Sequence, residues 1–236
     1  MKTLNLAHRG FSGKYPENTR LAFLAAVEEG RADGFESDVH LSRDGEPVII
    51  HDDDLDRTSN GKGPVGEHSF ADLRKLDMGA GERIMHLDEL LELVLEKNKV
   101  LNLEIKNYEV FYRGIEEKVI SRILAMNAAD RVFLSSFNHP SMKRCKEIDP
   151  KIPAGLLYGQ PLIDMDDYAA RHGLDALHPG KNCLRYDLNL AEKAHARGLK
   201  IHVWTVNTPG DMRFCLDKQV DGIITNYPDR LSQLMY

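Results

Sequence analysis

Three cysteines, one tryptophan and no apolar run long enough to cross a bilayer are what this 236-residue chain has little of. Cys145, Cys183 and Cys215 are odd in number, far apart and without metal-ligand spacing. They read as reduced, mostly buried thiols of a cytoplasmic protein, not as a disulfide framework or a zinc site. A basic stripe is also lacking, and the net charge is −6. Nucleic acid, which needs a concentrated positive face, is therefore not an expected partner. Met1-Lys2-Thr3-Leu4 runs into the first apolar stretch without the h-region and cleavage site of a signal peptide. There is no low-complexity segment and no linker. Apolar content of 42% and charged content of 29% fit a globular chain long enough to bury a sizeable core. The expectation is one domain, residues 1–236, acting on a small molecule, with monomer and homo-oligomer both left open.

What is present is alternation. Short β-rich runs at 4–8, 34–40, 100–106, 132–137, 153–158, 175–178, 200–206 and 221–225 are separated by helical segments. Leu87, Leu90, Leu91, Val94 and Leu95 share one helical face in 87–97; Ile115, Val119, Ile123 and Met126 do so in 115–126. Gly30, Gly173 and Gly198 read as helix-ending residues before the next strand. Eight such units predict an α/β fold of the (β/α)8 type. A doubly wound open sheet is the alternative, but His8-Arg9-Gly10-Phe11-Ser12-Gly13 lacks the glycine spacing of its phosphate loop. Between the second and third strands, Arg43-Asp44-Gly45-Glu46 is a turn signal followed by Pro47-Val48-Ile49-Ile50-His51. That predicts a hairpin over 34–51 with an extra antiparallel strand at 47–51. Residues 52–85 then form a small cap or loop insertion, its 52–70 portion a lid or binding loop.

The first strand ends at His8 and Arg9, where the active sites of parallel βα units lie. Period two places Glu36 and Asp38 on one face of the second strand and Glu104 and Lys106 on one face of the third. Three carboxylates on neighbouring strands describe a site for a hard divalent cation, Mg²⁺ or Ca²⁺, with Mn²⁺ also compatible. The bland alternative, acids on the outside paired with surface lysines, must explain polar insertions in two otherwise buried strands. The hairpin brings His51 nearly opposite Asp38, so a second imidazole reaches the same place. Two histidines can then serve a phosphorus centre as base and acid. Arg9 and Lys106 supply positive charge for a phosphodiester. Trp204 reads as core packing or as a flank to the leaving group. His40, His68, His86, His139, His172 and His195 read as ordinary surface or helix residues, while His178 and His202 are open.

Several blocks carry a resemblance together: His8-Arg9-Gly10, Pro16-Glu17-Asn18-Thr19, Glu36-Ser37-Asp38-Val39, His51-Asp52 with Leu55-Asp56-Arg57-Thr58, and Leu103-Glu104-Ile105-Lys106. Ser135-Ser136-Phe137-Asn138, Val203-Trp204-Thr205-Val206-Asn207 and Asp221 through Asp229 follow in order. The series resembles that of the glycerophosphodiester phosphodiesterases and covers nearly the whole chain. The resemblance implies a TIM barrel, a divalent metal on Glu36, Asp38 and Glu104, and two essential histidines, His8 and His51. It also implies phosphate-holding Arg9 and Lys106, and Trp204 in the pocket. The cap is short, like that of small cytoplasmic members. Two departures stand out: Met85-His86-Leu87 where Pro-Thr-Leu is frequent, and Thr225-Asn226 where Thr-Asp is common, which removes one charge.

The chemistry so implied is hydrolysis of glycerophosphodiesters to sn-glycerol 3-phosphate and an alcohol through a cyclic phosphate. His8 is the base, His51 the acid, and the two roles could be exchanged. Two competing readings are a lysophospholipase D acting on chain-bearing lysolipids and a barrel that binds phosphorylated polyols without catalysis. The first needs an apolar rim, for which the 52–70 loop offers only Leu55, Val65 and Phe70.

Overall fold

A computed structural model describes residues 2–235. Eight parallel strands form a closed ring: β1 (Leu4–His8), β2 (Gly34–Leu41), β5 (Val100–Ile105), β6 (Val132–Ser136), β7 (Ala154–Tyr158), β8 (Ala176–Pro179), β9 (Lys200–Val203) and β10 (Gly222–Thr225). Closure is by β10 on β1, with Leu6 opposite Ile224, and by β1 on β2, with His8 opposite Glu36. The eight predicted runs fall on these strands to within a few residues, and the open-sheet alternative is excluded.

The hairpin also forms. β3 (Pro47–Ile49) runs antiparallel to β2 with Val39 opposite Ile49, and Ile50 N donates to Asp38 O at 3.2 Å. A two-residue strand, β4 (Met85–His86), pairs with β3 on its other edge. The 52–70 stretch is not a bare loop: it contains a 3₁₀ turn at Val65–Glu67 and leads into helix α2 (Phe70–Leu73). Leu55 and Val65, candidates for an apolar rim, are instead fully buried. With Val48, Ile50, Leu73, Met78 and Ile84 they make a second, small core under the insertion.

The main core lies outside the ring. Phe35, Val39, Leu101, Leu103 and Ile105 point outward and pack under the helices, among them α1 (Arg20–Glu28), α3 (Leu87–Glu96) and α4 (Ile115–Ala125). The other face of the same strands, the ring interior, therefore receives the residues between them. That is why Glu36, Asp38, Asn102 and Glu104 are buried although polar. Local chemistry sets the helix starts. Thr19 caps α1 by accepting from Ala22 N at 3.2 Å. His86, the first departure noted above, caps α3: its Nδ1 accepts from Asp88 N, and the Glu89 carboxylate accepts from His86 N at 2.8 Å.

The lower half of the ring holds Phe133 and two imidazoles set edge to face. His178 and His202 share one hydrogen bond at 3.1 Å, and Phe133 lies 4.9 Å from the His202 ring. Each imidazole occupies space left by a glycine on a neighbouring strand. A Cβ on Gly155 would meet His178 at 2.5 Å, and one on Gly222 would meet His202 at 2.6 Å.

Candidate active site

The upper mouth of the ring gathers the acids. Asp38 lies opposite Glu104 in the β2–β5 register, and ligating oxygens of Glu36, Asp38 and Glu104 all fall within 4.8 Å of one another. All three are buried. Burial and the neighbouring carboxylates push Glu36 well above the usual range. Burial likewise raises Glu104 to about 7, against the pull of Lys106. Burial raises Asp38 as well, but Lys106 and Arg9 outweigh it and bring it down to about 2. Lys106 Nζ stands 3.1 Å from Glu104 Oε1 and 3.7 Å from Asp38 Oδ1, and Arg9 Nε 3.5 Å from Asp38 Oδ2. The bland salt-bridge reading is thus partly realised, yet it does not saturate the cluster. Asp38 Oδ1 and Glu104 Oε1 are buried without a hydrogen bond, and three carboxylates face two cations. Arg9 is moreover shared with Glu17 at 2.9 Å. Buried oxygens without a hydrogen bond, crowded beside a Glu36 whose proton affinity is raised by burial and by its neighbours, fit a divalent cation.

The chain leaves β1 through two left-handed residues, Arg9 at φ 56° and Gly10 at φ 78°. A side chain on Gly10 would strike Ala22 backbone carbon at 2.7 Å, so only glycine lets the loop press onto α1. This bend directs Arg9 N to Glu36, 2.9 Å from its carbonyl and 3.2 Å from Oε2. Asn18, also left-handed, donates from Nδ2 to Asp38 Oδ2 at 3.0 Å and accepts from Ser37 Oγ.

His8, Arg9, Glu36, His51, Glu104 and Trp204 line one cavity of about 70 Å³. A second, of about 200 Å³, shares His51 and continues past Lys106 and Tyr108. The two imidazoles differ in their partners. His8 Nδ1 lies 2.6 Å from Asn226 Oδ1, and Nε2 is 3.7 Å from Glu36. An amide oxygen only accepts, so Nδ1 carries the proton and Nε2 presents a lone pair. Burial, aided by Arg9, lowers this ring to about 4, so it is neutral at pH 7. The missing charge at position 226 therefore falls directly on His8. His51 Nδ1 instead donates to the Asp52 carboxylate at 2.6 Å, which only accepts. Trp204 is half-buried; its Nε1 donates to His178 O at 2.7 Å, and it meets Phe137 edge-on at 5.5 Å.

Sequence reasoning passed over several residues here. His40 is not a surface residue. It is buried on β2 and bonds the His51 carbonyl through Nε2 at 3.0 Å and Tyr112 Oη through Nδ1 at 3.0 Å. Arg57 grips both oxygens of Asp52, at 2.6 and 2.9 Å, and both of Glu17, at 2.9 and 2.7 Å. A continuous chain thus runs from His51 through Asp52, Arg57 and Glu17 to Arg9. The blocks containing Glu17 and Arg57 were visible as motifs, but nothing in their spacing says that they meet. Arg57→Ala is expected to lower kcat/KM by about 10- to 100-fold through loss of His51 orientation. The urea midpoint should barely move, because half-exposed ion pairs contribute little. Activity within twofold of the parent would remove this positioning role.

With this geometry in place, likeness to known proteins is informative. Residues 8–230 match the profile of the glycerophosphoryl diester phosphodiesterase family. A glycerophosphodiester phosphodiesterase of Caldanaerobacter subterraneus subsp. tengcongensis is 43% identical, covering 100% of this chain and 98% of that one. Another, from Bacillus altitudinis, is 37% identical over 95% of this chain and 94% of its own length. Among solved structures, a phosphodiesterase of Oleispira antarctica in complex with the product sn-glycerol-3-phosphate superposes with a TM-score of 0.84 at 29% identity, covering 97% of this chain and 94% of that one. The glycerophosphodiester phosphodiesterase of Agrobacterium tumefaciens gives 0.83 at 26% identity, covering 99% of this chain and 100% of that one. A closed (β/α)8 ring with acids and imidazoles at its carboxyl-end mouth, matched over nearly its whole length, makes this chain a member of the glycerophosphodiester phosphodiesterase family.

Proposed function

We propose that this phosphodiesterase hydrolyses glycerophosphodiesters to sn-glycerol 3-phosphate and an alcohol by base and acid catalysis from His8 and His51. The observation that carries the reading is the unlike partnering of the two imidazoles beside one acid cluster. His8 Nε2, bare and neutral, takes the proton of the glycerol 2-hydroxyl, whose oxygen attacks phosphorus. His51, its Nδ1 proton held by Asp52, delivers the Nε2 proton to the departing alcohol. In the second half the roles reverse: His51 Nε2 takes a proton from water, which opens the cyclic phosphate, and His8 returns its proton to the 2-oxygen. Arg9 and Lys106 hold the phosphoryl oxygens and offset the charge that builds on them. Trp204 closes the pocket wall. Glu36, Asp38 and Glu104 would hold the divalent ion, which when bound supplies Lewis-acid stabilisation of oxygen charge. Three buried free thiols suit a reducing compartment, and the cytoplasm is the proposed location.

The test is a panel of glycerophosphodiesters assayed with Mg²⁺, Ca²⁺ or Mn²⁺ and with chelator. Turnover should fall to background on chelation and return on adding metal. Metal should also raise the melting temperature of the chelated protein, by relieving the repulsion between Glu36 and Glu104. Full turnover in chelator would sink the metal assignment. Absence of phosphomonoester from every substrate would favour a barrel that only binds.

A further inference from the structure

The amino-terminal mouth of the ring, opposite the acid cluster, holds a cavity of about 350 Å³ that the reaction proposed above does not use. Leu4, Val100, Phe133, Ala154, Ala176 and His202 line it, near the starts of β1, β5, β6, β7, β8 and β9. Side chains normally fill the interior of so small a barrel. Here Ala154, Gly155 and Ala176 are too short to do so. The rim carries charge, but in pairs. Lys2 meets Asp33 at 3.2 Å, Lys200 meets Asp221 at 2.9 Å, and Asp175 meets Lys146 at 2.8 Å. Charges already answered in this way favour a neutral guest.

The inner end of the cavity is polar at one atom. His178 Nε2 and His202 Nδ1 share a hydrogen bond, and His178 Nδ1 is fully buried without a partner. An unpaired buried lone pair costs less than an unpaired buried N–H. The His178 proton therefore sits on Nε2 and is donated to His202 Nδ1. The proton of His202 is then on its own Nε2. That N–H has no partner among the described residues, yet unlike His178 Nδ1 it is not sealed off. His202 is 6% exposed, and it lines the cavity. We infer that this cavity is a second binding site, for a neutral aromatic molecule of one or two rings that carries an acceptor oxygen. The oxygen accepts from His202 Nε2, and the ring packs on Phe133 and Leu4. Apolar cavities of this kind bind small uncharged aromatic molecules.

The experiment titrates the full chain with acetophenone and with α-methylstyrene, which has the same shape but a methylene in place of the ketone oxygen. Calorimetry gives the affinities, and nitrogen-15 spectra of the histidine rings give the place. Acetophenone should bind with a Kd on the order of 0.1–1 mM and move the His202 Nε2 signal. α-Methylstyrene, lacking the hydrogen bond, should bind at least about threefold more weakly. Val100→Phe, at a half-buried position on the cavity wall, should weaken acetophenone at least about tenfold by filling the space, with turnover of glycerophosphocholine unchanged. sn-Glycerol 3-phosphate, a guest of the opposite mouth, should not displace acetophenone. Equal affinity for the two compounds, or a His202 signal that stays still, would overturn the inference. Displacement by sn-glycerol 3-phosphate, or full affinity in Val100→Phe, would place the guest elsewhere and overturn it too, as would no binding of either compound. Should Val100→Phe fail to fold, the pair of compounds and the His202 signal decide alone.

Discussion

Replacing His8 with alanine is expected to lower kcat on a natural glycerophosphodiester by about 10²–10⁴-fold, and replacing His51 to do the same. The two losses part company when the leaving group changes. An ester of p-nitrophenol departs without help from a proton, so His51→Ala recovers to within about tenfold of the parent on it. His8→Ala stays impaired, because removal of the 2-hydroxyl proton is needed whatever leaves. The expected asymmetry follows from the partners: the Asn226 amide oxygen accepts from His8 Nδ1 and leaves Nε2 a lone pair, while the Asp52 carboxylate accepts from His51 Nδ1. Steady-state kinetics on the two substrates decide it. Equal rescue of both variants, or of neither, would refute the assignment, and rescue of His8→Ala alone would exchange the roles.

Acid is expected to destabilise this protein well before its carboxylates are all protonated. His40, His178 and His202 are buried, and burial is the main reason that each resists protonation. For His178 the adjacent His202 adds to it. His40 and His202 are lowered to about 4 and His178 is held well below its ordinary value, against about 6.5 in the unfolded chain. Between those values the unfolded state binds more protons, so stability is complete above about pH 6.5 and falls with pH down to about 4. At pH 5 His40 and His202 each cost on the order of 2 kcal/mol, and His178 acts in the same direction. Together they consume a large share of the ~5–15 kcal/mol of a typical domain. His8 acts in the same direction. Glu36 and Glu104, raised in the metal-free protein, act oppositely, so the clean measurement uses E36Q/E104Q. Its urea midpoint should drop steeply from pH 7 to pH 5; a flat profile would show that these rings find protons in the folded state.

How far the sequence could be read depended on what each feature needs. The ring strands were legible because short β-rich runs recur between segments with an apolar helical stripe. The acid cluster followed from the period of two along a strand and from the adjacency of β2 and β5. β4 was not legible, since two residues carry no period. His40 was misread because β2 is buried on both faces, which a lone histidine in the pattern does not announce. The links from Asp52 to Arg57 and Glu17 join a strand end, a cap and the first loop across 40 residues, a meeting that only the folded chain arranges. Asn226 was noticed as a missing charge, but its partner His8 lies 218 residues away.

The imidazoles in the lower ring carry a historical consequence. Gly155 yields the room His178 fills, and Gly222 yields the room His202 fills. A mutation that places a side chain at either glycine is opposed while its histidine stands, and loss of the histidine alone leaves the space beside that glycine unfilled. Each couple is thus inherited as a unit. Descendants of this barrel can leave the arrangement only by paired replacement, and the hydrogen bond between the two rings ties the second couple to the first.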